Sequence, residues 1–235
     1  MFYLAVLVLL SLLVLIHEAG HLIAAKMVGI PIADFSVGLG PKIWSRRRGR
    51  TEYSFRAIPL GGFVMPAVTD EDDFRTFALR KRLAYFLGGP LANLAAAVVL
   101  FAVLNVAARG FSFGAVLIDP FRQIVEECWQ VLVSLPGLFK HPGKLSGPIG
   151  IVVLGGKVAA AGKLLQLAIS LNVSLAVFNL LPIPVLDGGQ ILMSSLEERF
   201  PRMTGLRVPL TVMGLIVLAS LMIFATQQDV VHLFS

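Results

Sequence analysis

Two histidines and a glutamate lie in the middle of an apolar segment near the start of the chain. The stretch LVLIHEAGHLIAAKM, residues 13–27, contains His17, Glu18 and His21 in the pattern H-E-x-x-H. On a helix, side chains four residues apart lie on the same face, so both imidazoles can reach one metal ion. Zinc accepts neutral imidazole nitrogens, and its catalytic sites keep one position open for water. The pattern therefore predicts a zinc site.

Glu18 is the candidate general base of this site. It is offset by one residue from His17, so its carboxylate can meet a water molecule at the metal without being a ligand. The alternative is that the two histidines only satisfy each other within a helix bundle. An ionisable group at the centre of a membrane helix costs about 2.5–3.5 kcal/mol, and this cost favours a functional role over a structural one.

A third protein ligand is needed, because two histidines and one water leave zinc one ligand short. Asp187 is the candidate, since it directly follows an apolar run in the stretch FNLLPIPVLDGGQ. Pro182 and Pro184 interrupt regular helix just before it. Irregular backbone at membrane depth is tolerated only where it is buried in protein or lines a cavity. For this segment alone an ordinary helix end is the alternative, but the H-E-x-x-H pattern favours a ligand.

The composition indicates which elements must position these residues. The chain has 235 residues, of which 57% are hydrophobic and 14% charged, whereas soluble domains are about 45–50% apolar and about 25% charged. Runs of roughly 17–25 apolar residues can cross a bilayer. We expect an all-α polytopic membrane protein, a single domain over 1–235, with about four transmembrane helices at 2–24, 83–108, 164–186 and 206–226. No basic residue precedes the first run, as one would in a cleaved signal peptide.

The basic residues are distributed unevenly between the predicted loops. Ten lie within 27–82, and six lie within 109–163. The richer side is cytoplasmic by the positive-inside rule, so we expect both termini outside and the active site toward the cytoplasm. The net charge of +6 then reflects topology, and we expect no nucleic-acid partner. The single cysteine, Cys128, allows no intramolecular disulfide.

A β-hairpin is predicted between the first two apolar runs, at about 35–65. Over residues 52–57, polar and apolar side chains alternate with the period of a half-buried strand, and RRRGR, residues 46–50, would be the exposed turn. A strand with a free edge can bind an extended peptide by β-augmentation. We therefore expect Ser54 and Phe55 to lie at a substrate-binding edge.

An amphipathic helix is predicted at about 119–135. Its apolar residues recur every three to four positions, which is typical of a helix with one apolar face. We expect this helix to lie along the outer membrane surface. A partner-binding face is the alternative reading.

Taken together, the motifs resemble one known family. H-E-x-x-H in the first apolar run, GGPLAN opening the second and FNLLPIPVLDGG in the third are similar to the site-2 protease family of intramembrane zinc metalloproteases. RTEYSFRAIPLGGFV and KLSGPIGI resemble its bacterial envelope-stress regulators, which implies a multi-pass protein of the inner (cytoplasmic) membrane.

The resemblance implies roles for particular residues. His17, His21 and Asp187 would bind one zinc ion per chain, with Glu18 as the catalytic acid/base. Residues 35–65 would form a membrane-associated β-loop that guides the substrate to the zinc.

Four further residues enter through the same resemblance. Asn179, Pro182 and Pro184 would help to position the substrate beside the metal. Asn93 lies in the matching motif of the second run, and tight helix packing around it is as good an explanation as a direct role.

The expected reaction is the hydrolysis of a peptide bond in or near a transmembrane helix of a membrane-protein substrate, within the lipid bilayer. A catalytically inactive scaffold of the same fold is the first alternative, and the intact Glu18 argues against it. A metal transporter ranks last, because the chain offers one cluster of ligands and no acidic relay. The envelope-stress group usually carries PDZ domains between the second and third spans. About 56 residues, 109–164, lie there, so we expect no PDZ domain.

Overall fold

The computed structural model describes residues 1–68, 74–140 and 146–234. The described chain is mainly helical, with one small sheet. The helices are α1 (Phe2–Val28), α2 (Leu79–Arg109), α3 (Asp119–Lys140), α4 (Pro148–Ala160), α5 (Leu164–Asn179), α6 (Asp187–Arg199) and α7 (Arg207–Phe234), and the strands are β1 (Ile32–Arg48) and β2 (Thr51–Pro66). A π-helical turn, Gly114–Ile118, precedes α3, and a 3-10 turn, Pro201–Leu206, precedes α7.

Three helical segments of the described chain are long and apolar enough to cross a membrane. They are Phe2–Val28, Leu79–Arg109 and Pro201–Val231, and they correspond to the first, second and fourth predicted runs. The third run differs from the prediction of a helix over 164–186, because α5 ends at Asn179 after 16 residues. Pro182 and Pro184, which cannot donate helical hydrogen bonds, follow in an irregular segment.

A helix that the sequence did not predict, α4, occupies residues 148–160. Gly147 precedes it with extended backbone, and Pro148 stands at its first position, where a missing N–H costs nothing. Asp229 of α7 accepts hydrogen bonds from the backbone N–H groups of Gly147 and Gly150, at 3.1 and 2.7 Å. The carboxylate therefore caps α4 and ties it to α7. Between α2 and α5 the described residues form helices and no strand.

Helices α1 and α2 approach each other closely at a pair of glycines. A methyl group on Gly20 would overlap the backbone carbonyl of Gly88, and one on Gly88 would lie 2.7 Å from the Ala24 side chain. Glycine is the residue that lets two backbones come this close. The contact presses the H-E-x-x-H segment against the GGP segment of α2.

The sheet is more extensive than the predicted hairpin. The strands turn at Gly49 and Arg50, with Arg48 facing Thr51, so the predicted turn is shorter than RRRGR, whose three arginines at 46–48 belong to β1. Both strands bend through register shifts, and residues 34–37 gain partners on both sides: 52–55 on one and 62–65 on the other. Within the described part of the chain, residues 62–66 pair on one side only.

Two apolar clusters hold the helices together. The first joins α1, the sheet and α2, with Ile30, Phe35 and Tyr85 among its buried members. The second joins α2, α3 and α5 around Phe101 and Val173. Helix α3 packs one face against α2 and α5, while its Trp129 remains 66% exposed. The predicted amphipathic helix is thus present, within a longer helix.

A buried ion cluster joins α2, α6 and α7. Glu197, whose side chain is 2% exposed, lies 3.0 Å from Arg207 Nη1 and 4.0 Å from Arg82 Nη1. Arg82 also pairs with Glu198 at 2.8 Å. Buried charges of this kind are stable only when paired and hydrogen-bonded. The cluster therefore fixes the start of α7 against α6.

Candidate metal centre

The side chains of His17, His21 and Asp187 meet at one point between α1 and the start of α6. His17 Nε2 lies 3.2 Å from His21 Nε2 and 3.2 Å from Asp187 Oδ2. His21 Nε2 lies 3.5 Å from Asp187 Oδ1. The two histidines are 7% and 5% exposed. Of the described residues, these form the one group of His, Cys, Asp and Glu side chains placed to hold a metal ion.

The spacing of the three groups fits zinc. Ligand atoms about 2.0–2.1 Å from a tetrahedral zinc ion lie about 3.3 Å from one another, close to the three measured separations. Asp187 Oδ2 is buried and accepts no hydrogen bond from any described residue. Converging acceptor atoms without a donor between them repel each other unless a cation neutralises them. The donor set therefore suits a bound zinc ion.

The orientation of His21 is set by α2. His21 Nδ1 lies 2.7 Å from the backbone oxygen of Tyr85, which can only accept, so this ring nitrogen carries the proton. Nε2 then keeps its lone pair for a metal ion, because the hydrogen bond at the other ring nitrogen fixes the tautomer.

Asp187 is presented by a tight turn. A methyl group on Gly188 or Gly189 would overlap the backbone carbonyls of Leu180 or Ile183, so the helix start packs directly on the irregular segment before it. Gln190 Nε2 donates to the Pro184 oxygen at 2.6 Å, and Arg207 Nη2 donates to Gln190 Oε1 at 2.6 Å. Side-chain hydrogen bonds of Gln190 and Arg207 thus hold the proline segment in place. In a regular helix, backbone hydrogen bonds would do this.

Glycines on two sides leave space around the three ligands. A methyl group on Gly89 would lie 2.7 Å from His17 Nε2 and would overlap His21 Nε2. A methyl group on Gly62 would lie 2.9 Å from Cγ of Glu18. The second glycine of the GGP segment therefore faces the ligands, and β2 passes directly beside the candidate base.

The asparagines and prolines implied by the resemblance lie in different settings. Asn179 Nδ2 donates to the Leu175 oxygen within its own helix at 3.0 Å. Pro182 is exposed, and Pro184 contributes its carbonyl to Gln190. Asn93 is 0% exposed and lies one turn beyond Gly89 on α2, and neither side-chain polar atom has a partner among the described residues.

The prediction that residues 51–57 present a free edge is wrong. Ser54 faces Ser45 on one side and Ser36 on the other, and Phe55 faces Trp44 and Val37. Ser54 is 3% exposed and its hydroxyl donates to Ser36 Oγ at 3.1 Å. The alternation correctly indicated a strand, but the fold-back of β1 covers the edge that a hairpin alone would leave open. The unpaired edge near Glu18 belongs to residues 62–66.

Tyr85, Gly62 and Gln190 were not identified from the sequence. The two glycines in LGGFV, residues 60–64, offered a signal, because adjacent glycines within a strand often mark a close approach of another backbone or side chain. The role of Tyr85 has no sequence signal, since it depends on how α2 packs against α1.

Comparison with known proteins adds a family assignment. The model of peptidase family M50 matches residues 5–224, which include all three candidate ligands and Glu18.

Individual relatives match shorter stretches. "Putative zinc metalloprotease NMA0084" of Neisseria meningitidis is 38% identical over 134 residues, which cover 53% of this chain and 28% of the relative. The zinc metalloprotease Rip1 of Mycobacterium bovis is 39% identical over 110 residues, or 43% of this chain and 26% of the relative. These matches therefore span less than a third of each relative.

One relative aligns along nearly its whole length. "Putative zinc metalloprotease CPE1693" of Clostridium perfringens is 25% identical over 322 positions, covering 94% of this chain and 96% of the relative. The alignment is longer than the 235 residues of this chain, so the relative carries segments without a counterpart here.

Proposed function

The chain belongs to peptidase family M50, and from this premise we propose that it is an intramembrane zinc metalloprotease. The proposed reaction is hydrolysis of a peptide bond in or near a transmembrane helix of a membrane protein. The observation that carries this proposal is the convergence of His17, His21 and Asp187 at zinc-ligand spacing, with Glu18 one residue from His17. A catalytically inactive scaffold would have no need of that base.

Each residue of the site has one task in the proposed mechanism. His17, His21 and Asp187 would hold zinc, which when bound supplies a Lewis acid that polarises the scissile carbonyl and lowers the pKa of water. Glu18 accepts a proton from the attacking water and later passes it to the leaving amine. Tyr85 keeps the proton of His21 on Nδ1, so that Nε2 remains free for the metal.

The substrate segment must be extended, because carbonyls in a regular helix are hydrogen-bonded and shielded. We place it along residues 62–66 of β2, whose outer edge is unpaired among the described residues and passes beside Glu18 through Gly62. Pairing with this edge by β-augmentation would replace the hydrogen bonds lost on unwinding. Asn179, Pro182 and Asn93 remain candidate substrate contacts.

The proposal is tested by measuring zinc content and cleavage on the same purified protein. We expect one zinc ion per chain and cleavage of a transmembrane peptide within its apolar segment. Glu18→Gln should keep the zinc and reduce cleavage at least about 1,000-fold, because the amide cannot accept the proton while the ligands are unchanged. Asp119→Asn, at a half-buried carboxylate that pairs with Arg109 at the start of α3, is the matched control and should cleave normally. A zinc-loaded protein without cleavage would favour the scaffold.

We also propose a location and orientation for the enzyme. The family and the three apolar helical segments indicate a membrane protein. The inner membrane, the outside location of both termini and the cytoplasmic location of the active site are inferred from the basic residues within 27–82 and the positive-inside rule.

A further inference from the structure

Tyr85 makes two hydrogen bonds that connect different parts of the site. Its backbone oxygen accepts from His21 Nδ1 at 2.7 Å, and its hydroxyl donates to the Val64 backbone oxygen at 2.7 Å. His21 is a candidate metal ligand, and Val64 lies in the middle of the edge segment 62–66. One residue of α2 therefore contacts both the metal centre and the strand beside it.

The Tyr85 side chain has little freedom to move. It is 8% exposed, and its ring packs against His21 at 5.3 Å, Phe74 at 5.7 Å and Phe86 at 5.2 Å between ring centroids. Edge-to-face and tilted aromatic contacts of this kind favour defined ring positions. The position of the hydroxyl is thus fixed by the packing of α2 against α1.

The strand segment next to it is paired on one side, buries the Val64 side chain in the first apolar cluster and has few polar attachments. Residues 62–65 pair with β1 on one side, Gly62 lies against Glu18, and the N–H of Ala67 donates to the Pro31 oxygen at 2.8 Å. A cavity of about 460 Å³ adjoins the end of the segment, lined by Pro66, Val68 and Phe74 among others. Without the hydroxyl of Tyr85 the segment has space to shift into this cavity.

We propose, resting on the proposed function for what the strand does, that Tyr85 is a positioning residue whose hydroxyl sets the distance between residues 62–66 and the metal centre. The strand would fix the position of a paired substrate relative to Glu18. Helix α2 would fix the position of that substrate relative to the metal ligands. An error of about 1 Å in such a placement costs about 100-fold in rate. Through its two hydrogen bonds, Tyr85 connects the strand to the metal ligand His21.

The test uses Tyr85→Phe, which removes one oxygen atom and keeps the ring and the backbone oxygen that holds His21. Tyr53→Phe is the matched control, because it also removes a sheet hydroxyl, one that accepts from Lys26 at 3.0 Å and makes no hydrogen bond to residues 62–66 in the described chain. Hydrogen exchange of the full chain in detergent is measured first. We expect amides of 61–68 to exchange at least about threefold faster in Tyr85→Phe, and unchanged exchange there would overturn the proposal.

Zinc affinity and cleavage are measured on the same variants. Tyr85→Phe should bind zinc within about twofold of the parent, since His21 keeps its partner. Its cleavage of a stable substrate helix should fall about tenfold, the loss of one buried hydrogen bond, mainly through KM. A substrate helix loosened by glycine should lose less than about threefold, because it depends less on the edge. Equal losses on both substrates, or a large loss of zinc affinity, would indicate a general disturbance and contradict the proposal.

These measurements separate this inference from the proposed function. If the parent protein binds zinc but cleaves no peptide, the proposed function fails, while the exchange of residues 61–68 still decides whether the Tyr85 hydroxyl holds the strand. If the parent cleaves and the exchange does not change, the proposed function stands and the role of Tyr85 is wrong.

Discussion

Gly62 lies against Glu18 so closely that a methyl group on it would stand 2.9 Å from Glu18 Cγ. The same methyl group would stand 2.8 Å from the Ser36 backbone oxygen, and the backbone cannot yield as a flexible side chain could. Strand β2 and the candidate base therefore share a contact that only glycine permits.

Gly62→Ala should impair cleavage while zinc remains bound. The added methyl group must push β2 away from α1 or displace Glu18, and a displacement of about 1 Å costs about 100-fold in rate. The measurements are zinc content and kcat/KM with a transmembrane peptide. Gly114→Ala, where the new methyl group meets no atom within 4 Å, is the control. Near-normal cleavage by Gly62→Ala would show that the strand and Glu18 need not be in contact.

Gly89→Ala is the converse case. Its methyl group would overlap His21 Nε2 and lie 2.7 Å from His17 Nε2, so it occupies space at the ligands themselves. We expect this variant to lose zinc, whereas Gly62→Ala keeps it. If Gly89→Ala binds zinc as tightly as the parent, the face of α2 at Gly89 does not border the metal.

Asp187→Ala should weaken zinc binding and abolish cleavage together. Removing a direct ligand should cost more affinity than the 10–100-fold typical of outer-shell partners, so we expect at least about 100-fold. Competition with a chelator of known affinity gives the value. Glu126→Ala is the control, since Glu126 is an exposed acid on α3. Unchanged zinc affinity of Asp187→Ala would remove this residue from the metal centre.

Ser54→Pro should reduce cleavage of stable and loosened substrate helices to the same extent. Ser54 lies between Ser36 and Ser45, so its backbone is used within the sheet and proline removes a ladder hydrogen bond. The substitution damages the sheet itself, so the loss of cleavage should not depend on how stable the substrate helix is. Arg46→Pro is the control on an outer segment that pairs on one side in the described chain. A selective loss on the stable substrate would restore Ser54 as a direct substrate contact.

Reporter fusions should locate the loops. A fusion within 46–50 is expected to report the cytoplasm, and one after Ser235 the outside, because ten basic residues lie within 27–82 and six within 109–163. Paired cytoplasmic and periplasmic reporters at each site provide the control for expression. The reverse pattern would place the metal centre on the other side of the membrane.

The sequence predicted what depends on local spacing. His17 and His21 share a helix face because they are four residues apart. The end of α5 at Asn179 was not predicted, although Pro182 and Pro184 account for it. The alternation around Phe55 predicted a strand correctly. The full pairing of the sheet could not be predicted, because residues 34–37 and 62–65 come together only when both strands bend. Tyr85 was missed for the same reason, since its two partners lie on α1 and β2.

Helix α4 was not predicted, because its own sequence disfavours a helix and its main stabilising contact comes from a distant residue. GPIGIVVLGG, residues 147–156, contains four glycines, which lower the helix propensity of so short a segment. The carboxylate of Asp229 caps it from a helix almost 80 residues later, and that stabilisation is visible only in three dimensions.

The polar attachments of α7 at Arg207 and Asp229 have a consequence for the membrane itself. The two residues are 22 positions apart, so at about 1.5 Å per residue they stand about 33 Å apart along the helix, close to the hydrocarbon thickness of about 30 Å. One attachment joins α7 to α6 beside the metal ligand loop, and the other joins it to α4. A markedly thicker bilayer would draw one of these charged groups into hydrocarbon, so hydrophobic mismatch acts on the helix that braces Asp187. We therefore expect zinc affinity and cleavage to vary with lipid chain length, and equal values in short-chain and long-chain bilayers would contradict this.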